Sequence, residues 1–198
     1  MRLLVEGLRL AYDGVAIFND FNLDITSRYI TVVKGKNGSG KTSFLRILAG
    51  LQETDSGSIS FFDMNQEKAF LVKNITYLGH KLGIKDEFTV LENINFWHKF
   101  YKCDLNRDIY NNFGLSALDQ IQVSKLSEGQ KKKLALYRVL MLDKLILLLD
   151  EPLANLDEHA ESYVKILLED IRKKGKIIIV TSHSDLKIEN QLIVNIDT

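Results

Sequence analysis

The stretch that decides the fold lies at residues 35–42 and reads Gly35-Lys36-Asn37-Gly38-Ser39-Gly40-Lys41-Thr42. It fits the pattern G-x-x-x-x-G-K-[ST], a loop in which successive backbone N–H groups point inward and surround an anion. Glycine permits backbone conformations that are closed to other residues, and it lets the main chain come close to a ligand. The stretch therefore predicts a loop that holds phosphate groups.

The residues on either side place this loop between a strand and a helix. Residues 30–34 form a short segment that is mainly apolar and β-branched, which predicts a strand. Residues 41–50 have the pattern of a helix. The partial positive charge at a helix N-terminus favours phosphate. We expect Lys41 to reach the outer phosphates of a nucleotide and Thr42 to hold Mg²⁺, with Ser43 beside them in the site.

Two acidic residues follow another apolar run. Residues 145–149 are all leucine or isoleucine, and Asp150 and Glu151 come directly after them. In a parallel sheet both carboxylates would lie at the edge that carries the phosphate loop. We expect Asp150 to hold Mg²⁺, which prefers oxygen ligands, and Glu151 to polarise the attacking water as a general base. The alternative is a strand that merely ends in an acidic turn.

His183 follows a third apolar run, at residues 176–181. A neutral imidazole at that place can touch the outermost phosphate and hold the attacking water. The alternative is an ordinary histidine of the protein surface.

A further helix begins after Ser127, which is followed by Glu128, Gly129 and Gln130. Serine is a good N-cap, and an acidic residue in the first turn suits the helix dipole. One interpretation is therefore a capped helix without any further role. The other is a second anion site, formed by the helix N-terminus, the Ser127 hydroxyl, the Gly129 amide and Gln130.

Strands alternate with helices along the chain, which predicts an α/β fold with a mainly parallel sheet. We predict strands near 2–6, 21–25, 30–34, 58–62, 75–79, 145–149, 176–181 and 192–196. We predict helices near 41–50, 89–102, 107–112, 128–142 and 157–174, with a further candidate at 185–188. The closely spaced early strands, with a turn at Asp13-Gly14, predict an antiparallel sheet beside the nucleotide-binding core. We treat residues 1–198 as one domain in which residues 85–128 form a small helical subdomain.

Composition excludes several classes of protein. The chain has 26 basic and 26 acidic residues and a net charge of zero, which does not favour nucleic-acid binding. Its single cysteine, Cys103, cannot form an internal disulfide, which is typical of a reducing compartment. No run reaches the roughly 18 to 20 apolar residues that span a bilayer, and the first residues do not resemble a signal peptide. We therefore expect a cytoplasmic chain without a membrane span of its own.

The order of these segments resembles the ATP-binding cassette (ABC) ATPases, the nucleotide-binding subunits of ABC transporters. The resemblance includes L-S-E-G-Q at 126–130, L-L-L-D-E-P at 147–152, A-N-L-D at 154–157 and T-S-H at 181–183, and it covers nearly the whole chain. It implies a phosphate-loop NTPase core and a head-to-tail dimer with a second copy. Each ATP would then lie between the phosphate loop of one copy and Ser127 of the other, with 154–157 crossing the interface. Tyr12 matches the family's aromatic residue that stacks on adenine.

One position departs from the family's pattern. Most members carry glutamine after a strand where this chain has His80, and that glutamine senses Mg²⁺ and the attacking water. Histidine can offer one ring nitrogen to the metal or to its water, although imidazoles titrate near neutral pH. We therefore expect a site role for His80, through a metal-bound water. The surrounding run, G-H-K-L-G-I-K at 79–85 with F-T-V-L-E-N at 88–93, resembles the ATP-binding subunits of cytochrome c maturation systems, the haem exporter ATPases.

Together these patterns predict an ATPase that uses ATP and Mg²⁺, and the resemblance implies that it drives a complex with an integral membrane transporter subunit. It would sit peripherally on the cytoplasmic face of the inner membrane and act in haem handling for c-type cytochromes. Three alternatives stay open: another ABC transporter subfamily, a soluble ABC ATPase of repair, translation or iron–sulfur assembly, and a scaffold that closes on ATP but hardly turns it over.

Two further segments allow a structural or a functional interpretation. Phe96, Trp97, Phe100 and Tyr101 lie one helical turn apart in two adjacent pairs, and they could line a groove for a partner's helix or pack the core of the helical subdomain. We expect the lysines at 131–133 to form a solvated helix surface.

Overall fold

A computed structural model describes residues 1–62, 73–183 and 185–196. The described strands are β1 (Arg2–Tyr12), β2 (Val15–Thr26), β3 (Ile30–Lys34), β4 (Ser56–Phe62), β5 (Ile75–Leu78), β6 (Ile146–Asp150), β7 (Ile177–Thr181) and β8 (Gln191–Asn195). The described α-helices are α1 (Lys41–Leu48), α2 (Val90–Tyr101), α3 (Arg107–Asn112), α4 (Glu128–Leu140) and α5 (Glu158–Lys173). This arrangement confirms the predicted α/β fold.

The sheet that organises the fold has the strand order β5-β6-β7-β3-β8. Strand β7 pairs in parallel with β6 on one side and with β3 on the other, and β3 pairs in parallel with β8. Every residue of β6 and β7 is buried, as expected for strands that are covered on both faces. The carboxyl ends of β3, β6 and β7 are therefore neighbours along one edge.

A smaller antiparallel sheet has the order β2-β1-β4. Strands β1 and β2 are joined at Asp13 and Gly14, both with positive φ, as a two-residue hairpin turn requires. Both strands are about twice as long as the sequence predicted. Their register shifts between Val5 and Leu8 and again between Leu8 and Ala11, and these irregularities break the alternation by which a strand is recognised.

The chain divides into two compact units, of which the first comprises Met1–Tyr77, Lys144–Glu151 and Leu168–Thr198. Its core contains residues from both sheets and from α1. Phe44 of α1 packs edge-on against Phe18 and Phe21 of β2, with ring centroids 6.2 and 5.5 Å apart. Burial of these apolar side chains fixes α1, and hence the loop in front of it, against the sheets.

The second unit comprises Leu78–Asp143 and Pro152–Leu167, and the predicted helical block 85–128 lies within it. Helix α2 begins with a capping box, in which the Thr89 hydroxyl accepts from the Glu92 N–H and the Glu92 carboxylate accepts from the Thr89 N–H. Trp97 is buried in this unit, whereas Phe96 and Phe100 are 40% and 67% exposed. The aromatic residues of α2 thus divide between the core and the surface.

Two expectations about local structure are wrong. Residues 185–188 form no helix, because Lys187 adopts a left-handed φ of 48°, which a right-handed helix does not contain. The lysines at 131–133 are not a freely solvated surface either. Lys132 is buried, and the side chains of Lys131 and Lys133 are mostly covered.

Candidate functional site

The phosphate loop joins the end of β3 to the start of α1, and its glycines are there for steric reasons. A Cβ at Gly35 would lie 2.3 Å from the Ile196 carbonyl oxygen and 2.4 Å from the Ser39 Oγ. At Gly40, where φ is 94°, a Cβ would lie 2.4 Å from Ile17 Cγ2. A residue with a side chain at either position would therefore displace the loop or the neighbouring residues Ile17 and Ile196.

Two polar groups of the loop fit an anion. The Lys41 side chain is 6% exposed, and its ammonium donates to the carbonyl oxygens of Gly35 and Lys36 at 2.7 and 2.9 Å. The Ser39 hydroxyl is buried and has no hydrogen-bond partner among the described residues. Because unsatisfied buried polar groups are unfavourable, an incoming phosphate oxygen would supply the missing partner.

A chain of hydrogen bonds links α1 to the ends of β6 and β7. The Thr42 hydroxyl donates to Asp150 Oδ2 at 2.8 Å, and the Thr181 hydroxyl donates to Asp150 Oδ1 at 2.5 Å. The Glu151 N–H in turn donates to the Thr181 Oγ at 3.0 Å. Asp150, only 1% exposed, is thereby fixed at the strand edge. Its charge also contributes to the local field: burial first, and the Asp150 carboxylate second, raise the pKa of Tyr77.

The donors at this edge suit Mg²⁺. The Thr42 hydroxyl and the Asp150 carboxylate are both oxygen donors, and they lie within hydrogen-bond distance of each other. Mg²⁺ in nucleotide sites takes one or two such protein ligands and completes its shell with waters and phosphate oxygens. The residues present therefore fit the metal.

Glu151 and His183 form a pair at the same edge. The distance from His183 Nε2 to Glu151 Oε1 is 2.6 Å, so one hydrogen must lie between the two atoms. Glu151 has a φ of 47°, a left-handed conformation that is unfavourable for a residue with a side chain. Strain of this kind clusters at functional sites, and here it occurs directly after β6.

Tyr12 ends β1 beside the hairpin turn and is 48% exposed. Its hydroxyl lies 3.5 Å from the Ser43 Oγ, so the ring is near the first turn of α1. Lys36, Asn37 and Gly38 are exposed at the tip of the phosphate loop. An exposed ring next to a phosphate site offers a flat apolar face for a nucleobase.

The remaining predicted site residues belong to the second unit. Ser127 is exposed at the start of α4 and forms a capping box with Gln130: its Oγ accepts from the Gln130 N–H at 3.2 Å, and Gln130 Oε1 accepts from the Ser127 N–H at 2.9 Å. The side-chain carbonyl oxygen of Gln130 is therefore already hydrogen-bonded to the backbone at the start of α4. The Ser127 hydroxyl, as an acceptor in that bond, keeps its own hydrogen to donate.

His80 is exposed in the connection between β5 and α2. That connection is held by Asn93, which is buried, accepts from the Lys85 N–H, and donates to the carbonyl oxygens of Lys85 and Thr89. Arg138 of α4 also donates to the Leu82 carbonyl oxygen at 3.2 Å.

Thr181 is the one residue of the site to which sequence reasoning gave no role. The sequence feature that could have indicated a role for Thr181 is its hydroxyl group at the end of an otherwise apolar strand, directly before Ser182 and His183. In the sheet it pairs with Asp150, and that register makes it the link between the two carboxylates.

Comparison with known proteins identifies the family. Residues 18–154 match the ABC transporter family, so the chain belongs to this family of ATP-binding proteins. It is similar to the cytochrome c biogenesis ATP-binding export protein CcmA of Histophilus somni, with 33% identity over 98% of this chain and 93% of the relative. The protein of the same name from Rhodopseudomonas palustris is 34% identical over 95% of this chain and 94% of its own length.

Solved structures show the same fold. A putative ABC transporter ATP-binding protein from Pyrococcus furiosus superimposes with a TM-score of 0.81 at 20% identity, over 99% of this chain and 98% of the other. A dimeric ATP-binding cassette in a post-hydrolysis state, bound to ADP and phosphate, gives a TM-score of 0.77 at 20% identity, over 98% and 93% of the two chains. The predicted ABC-type phosphate-loop fold is confirmed. Among the described residues, no helix is both long and apolar enough to cross a bilayer.

Proposed function

We propose that this ABC ATPase hydrolyses ATP with Mg²⁺ and couples hydrolysis to a membrane complex that handles haem in c-type cytochrome maturation. The site geometry supports the chemistry. The names of the relatives support the biological role, since the chain is aligned with cytochrome c biogenesis export proteins over nearly its full length. The same names favour this role over a soluble ATPase of repair or translation.

Binding of ATP would rest on the phosphate loop. Its amides, the Lys41 ammonium and the Ser39 hydroxyl would surround the phosphates, and Tyr12 would stack on the adenine. Thr42 and Asp150 would hold Mg²⁺, which would supply positive charge to stabilise the phosphate groups. Phosphoryl transfer needs mainly positioning and charge stabilisation, and this set of residues provides both.

Cleavage would depend on Glu151 and His183. A water held between them and the γ-phosphate attacks the phosphorus, and the bond to the bridging oxygen of ADP breaks. Glu151 accepts the proton of the water, while the His183 imidazole holds both the carboxylate and the phosphate in place. The products are ADP and inorganic phosphate. A general base at this position contributes about 10²- to 10⁴-fold to the rate.

The observation that carries the proposal is the continuous set of contacts from Thr42 through Asp150 and Thr181 to Glu151 and His183. A strand end with a purely structural role does not require two neighbouring oxygen ligands for a metal, a glutamate with a left-handed φ, and a histidine that contacts this glutamate.

A second copy of the chain would complete each site. The Ser127 hydroxyl, the Gly129 amide and Gln130 of one copy would face the ATP held by the other, as in the head-to-tail dimer of this family. The support from this chain is that the Ser127 hydroxyl is exposed at a helix N-terminus and can still donate.

The membrane partner would contact the exposed aromatic pair of α2. The rings of Phe96 and Phe100 are stacked with centroids 6.0 Å apart, and the Lys85 ammonium lies 4.9 Å from the centre of the Phe96 ring. An amphipathic helix of the membrane subunit with an apolar stripe and an acidic residue would match both features. The chain would thus be peripheral on the cytoplasmic face of the membrane.

The test is the Glu151→Gln substitution. We expect it to keep ATP bound, to lower kcat at least about 100-fold, and to accumulate an ATP-bound dimer, because the amide keeps the shape of the site but accepts a proton poorly. Phosphate release and light scattering after gel filtration measure these effects.

The exposed Glu53→Gln change is the matched control and should leave both measurements unchanged. A Glu151→Gln protein that turns over normally would contradict the assigned base. One that binds ATP but stays monomeric would contradict the dimer.

A further inference from the structure

The loop at residues 154–157 lies directly against the first turn of α4. A Cβ on Gly129 would come within 2.6 Å of the Asn155 carbonyl oxygen, so this glycine allows the helix backbone to touch the loop backbone. Asn155 has a φ of 64°, which turns its carbonyl group in an uncommon direction. The close contact between the loop and the start of α4 therefore depends on the glycine at 129 and on the backbone conformation of Asn155.

One helical turn further on, Lys133 fixes the end of the same loop. Its ammonium forms an ion pair with Asp157 Oδ2, and the Lys133 side chain is only 17% exposed. Asp157 Oδ1 accepts the Ala160 N–H at 2.9 Å and so caps the first turn of α5. The Lys133 hydrogen bond, followed by the Ala160 N–H, lowers the pKa of Asp157, so the carboxylate stays charged at neutral pH.

A neighbouring lysine makes a different contact. The Lys131 ammonium lies 3.6 Å from Glu128 Oε1, a residue of its own helix, and stabilises α4 locally. The two lysines carry the same charge two residues apart, but of the two only Lys133 forms an ion pair with the 154–157 loop. They thus offer a matched pair for experiment.

We propose that Lys133 is a positioning residue that holds the 154–157 loop in the conformation needed for two copies to close on ATP. In sequence the loop begins three residues after Glu151, while α4 carries the Ser127 hydroxyl at its start. Within one copy, the Lys133–Asp157 pair therefore connects the 154–157 loop, which follows that copy's general base, to α4. The start of α4 would contact the ATP that the other copy holds. The inference rests on the dimer proposed above.

The experiment compares variants in the Glu151→Gln background, where ATP is retained. The dimer dissociation constant is measured by sedimentation at saturating ATP and Mg²⁺. We expect Lys133→Met to raise it about threefold to tenfold, the range of a partly covered ion pair, and Lys133→Arg to restore it to within about twofold. Lys131→Met should change it less than about twofold.

Asp157→Asn provides an independent arm, because the amide oxygen can still cap α5 while the ion pair is lost. It should match Lys133→Met, and the double variant should be no worse than either single one, since both remove the same interaction. Binding of MgADP to each variant, measured by calorimetry, should be unchanged, because the phosphate loop is not altered. Should Lys133→Met fold poorly, the near-isosteric Asp157→Asn variant decides the question.

Two results would overturn the inference on its own: a Lys133→Met dimer as tight as its parent, or equal losses from Lys133→Met and Lys131→Met. A parent Glu151→Gln protein that binds ATP yet never dimerises would instead overturn the dimer, and this inference with it.

Discussion

Thr181 shows how much a single hydroxyl does at this site. It accepts the Glu151 N–H and donates to Asp150, so it holds the backbone of one carboxylate residue and the side chain of the other. The sequence predicted site roles for Lys41, Thr42, Asp150, Glu151 and His183, because each belongs to a short pattern with a known chemistry. The role of Thr181 depends on the register of β6 against β7, which local sequence does not encode.

Thr181→Val should be informative because it keeps the shape and removes both hydrogen bonds. Asp150 would lose a donor while buried, which costs about 1–3 kcal/mol of unfolding free energy. We expect kcat to fall about 10- to 100-fold as Glu151 and Asp150 lose their alignment. Denaturant titration and phosphate release measure the two effects.

Thr181→Ser retains the hydroxyl and should keep most of the activity. A Thr181→Val protein as active as the unaltered chain would show that the hydrogen bonds seen here do not position the carboxylates.

At the scale of elements, the connection between β5 and α2 is fixed by specific hydrogen bonds. Asn93 holds it with three hydrogen bonds, and Arg138 holds the Leu82 carbonyl group. Caps and apolar periodicity were enough to predict α2 and α4. They were not enough for the segment 185–188 or for the full length of β1 and β2, where left-handed residues and bulges decide the course of the backbone.

Because Asn93 and Arg138 hold the backbone of this connection, we expect it to keep its course when His80 is replaced. His80→Ala should lower kcat about tenfold and weaken the dependence on Mg²⁺, whereas His80→Gln should retain activity, since an amide can also hold a metal-bound water. Hydrolysis rates across a Mg²⁺ titration distinguish them. Equal rates for all three proteins would remove His80 from the site.

At the scale of the whole molecule, the chain consists of two compact units, and each carries part of the predicted machinery. The phosphate loop, both carboxylates and His183 belong to the first unit, whereas Ser127 and His80 belong to the second. The alternation of strands and helices predicted the architecture. Which aromatic side chains of α2 stay at the surface could not be predicted, because it depends on how the helices of the second unit pack.

Replacing both Phe96 and Phe100 by serine should release the chain from its membrane partner. The exposed rings contribute little to the core, so hydrolysis by the isolated chain should stay within about twofold, while co-purification from detergent-solubilised membranes is lost. Ile166→Ser, which alters an exposed apolar residue on α5, is the control and should leave the complex intact. Retention of the membrane subunit by the double variant would place its contact elsewhere.

The Lys41 ammonium is bound by two carbonyl groups of its own loop, so the ring of backbone that receives phosphate is already shaped in the folded chain. The conformational entropy of ordering that loop is lost during folding rather than at the encounter with nucleotide. Nucleotide capture should therefore proceed in a single kinetic phase whose rate rises linearly with ligand concentration, without a slow rearrangement of the loop behind it.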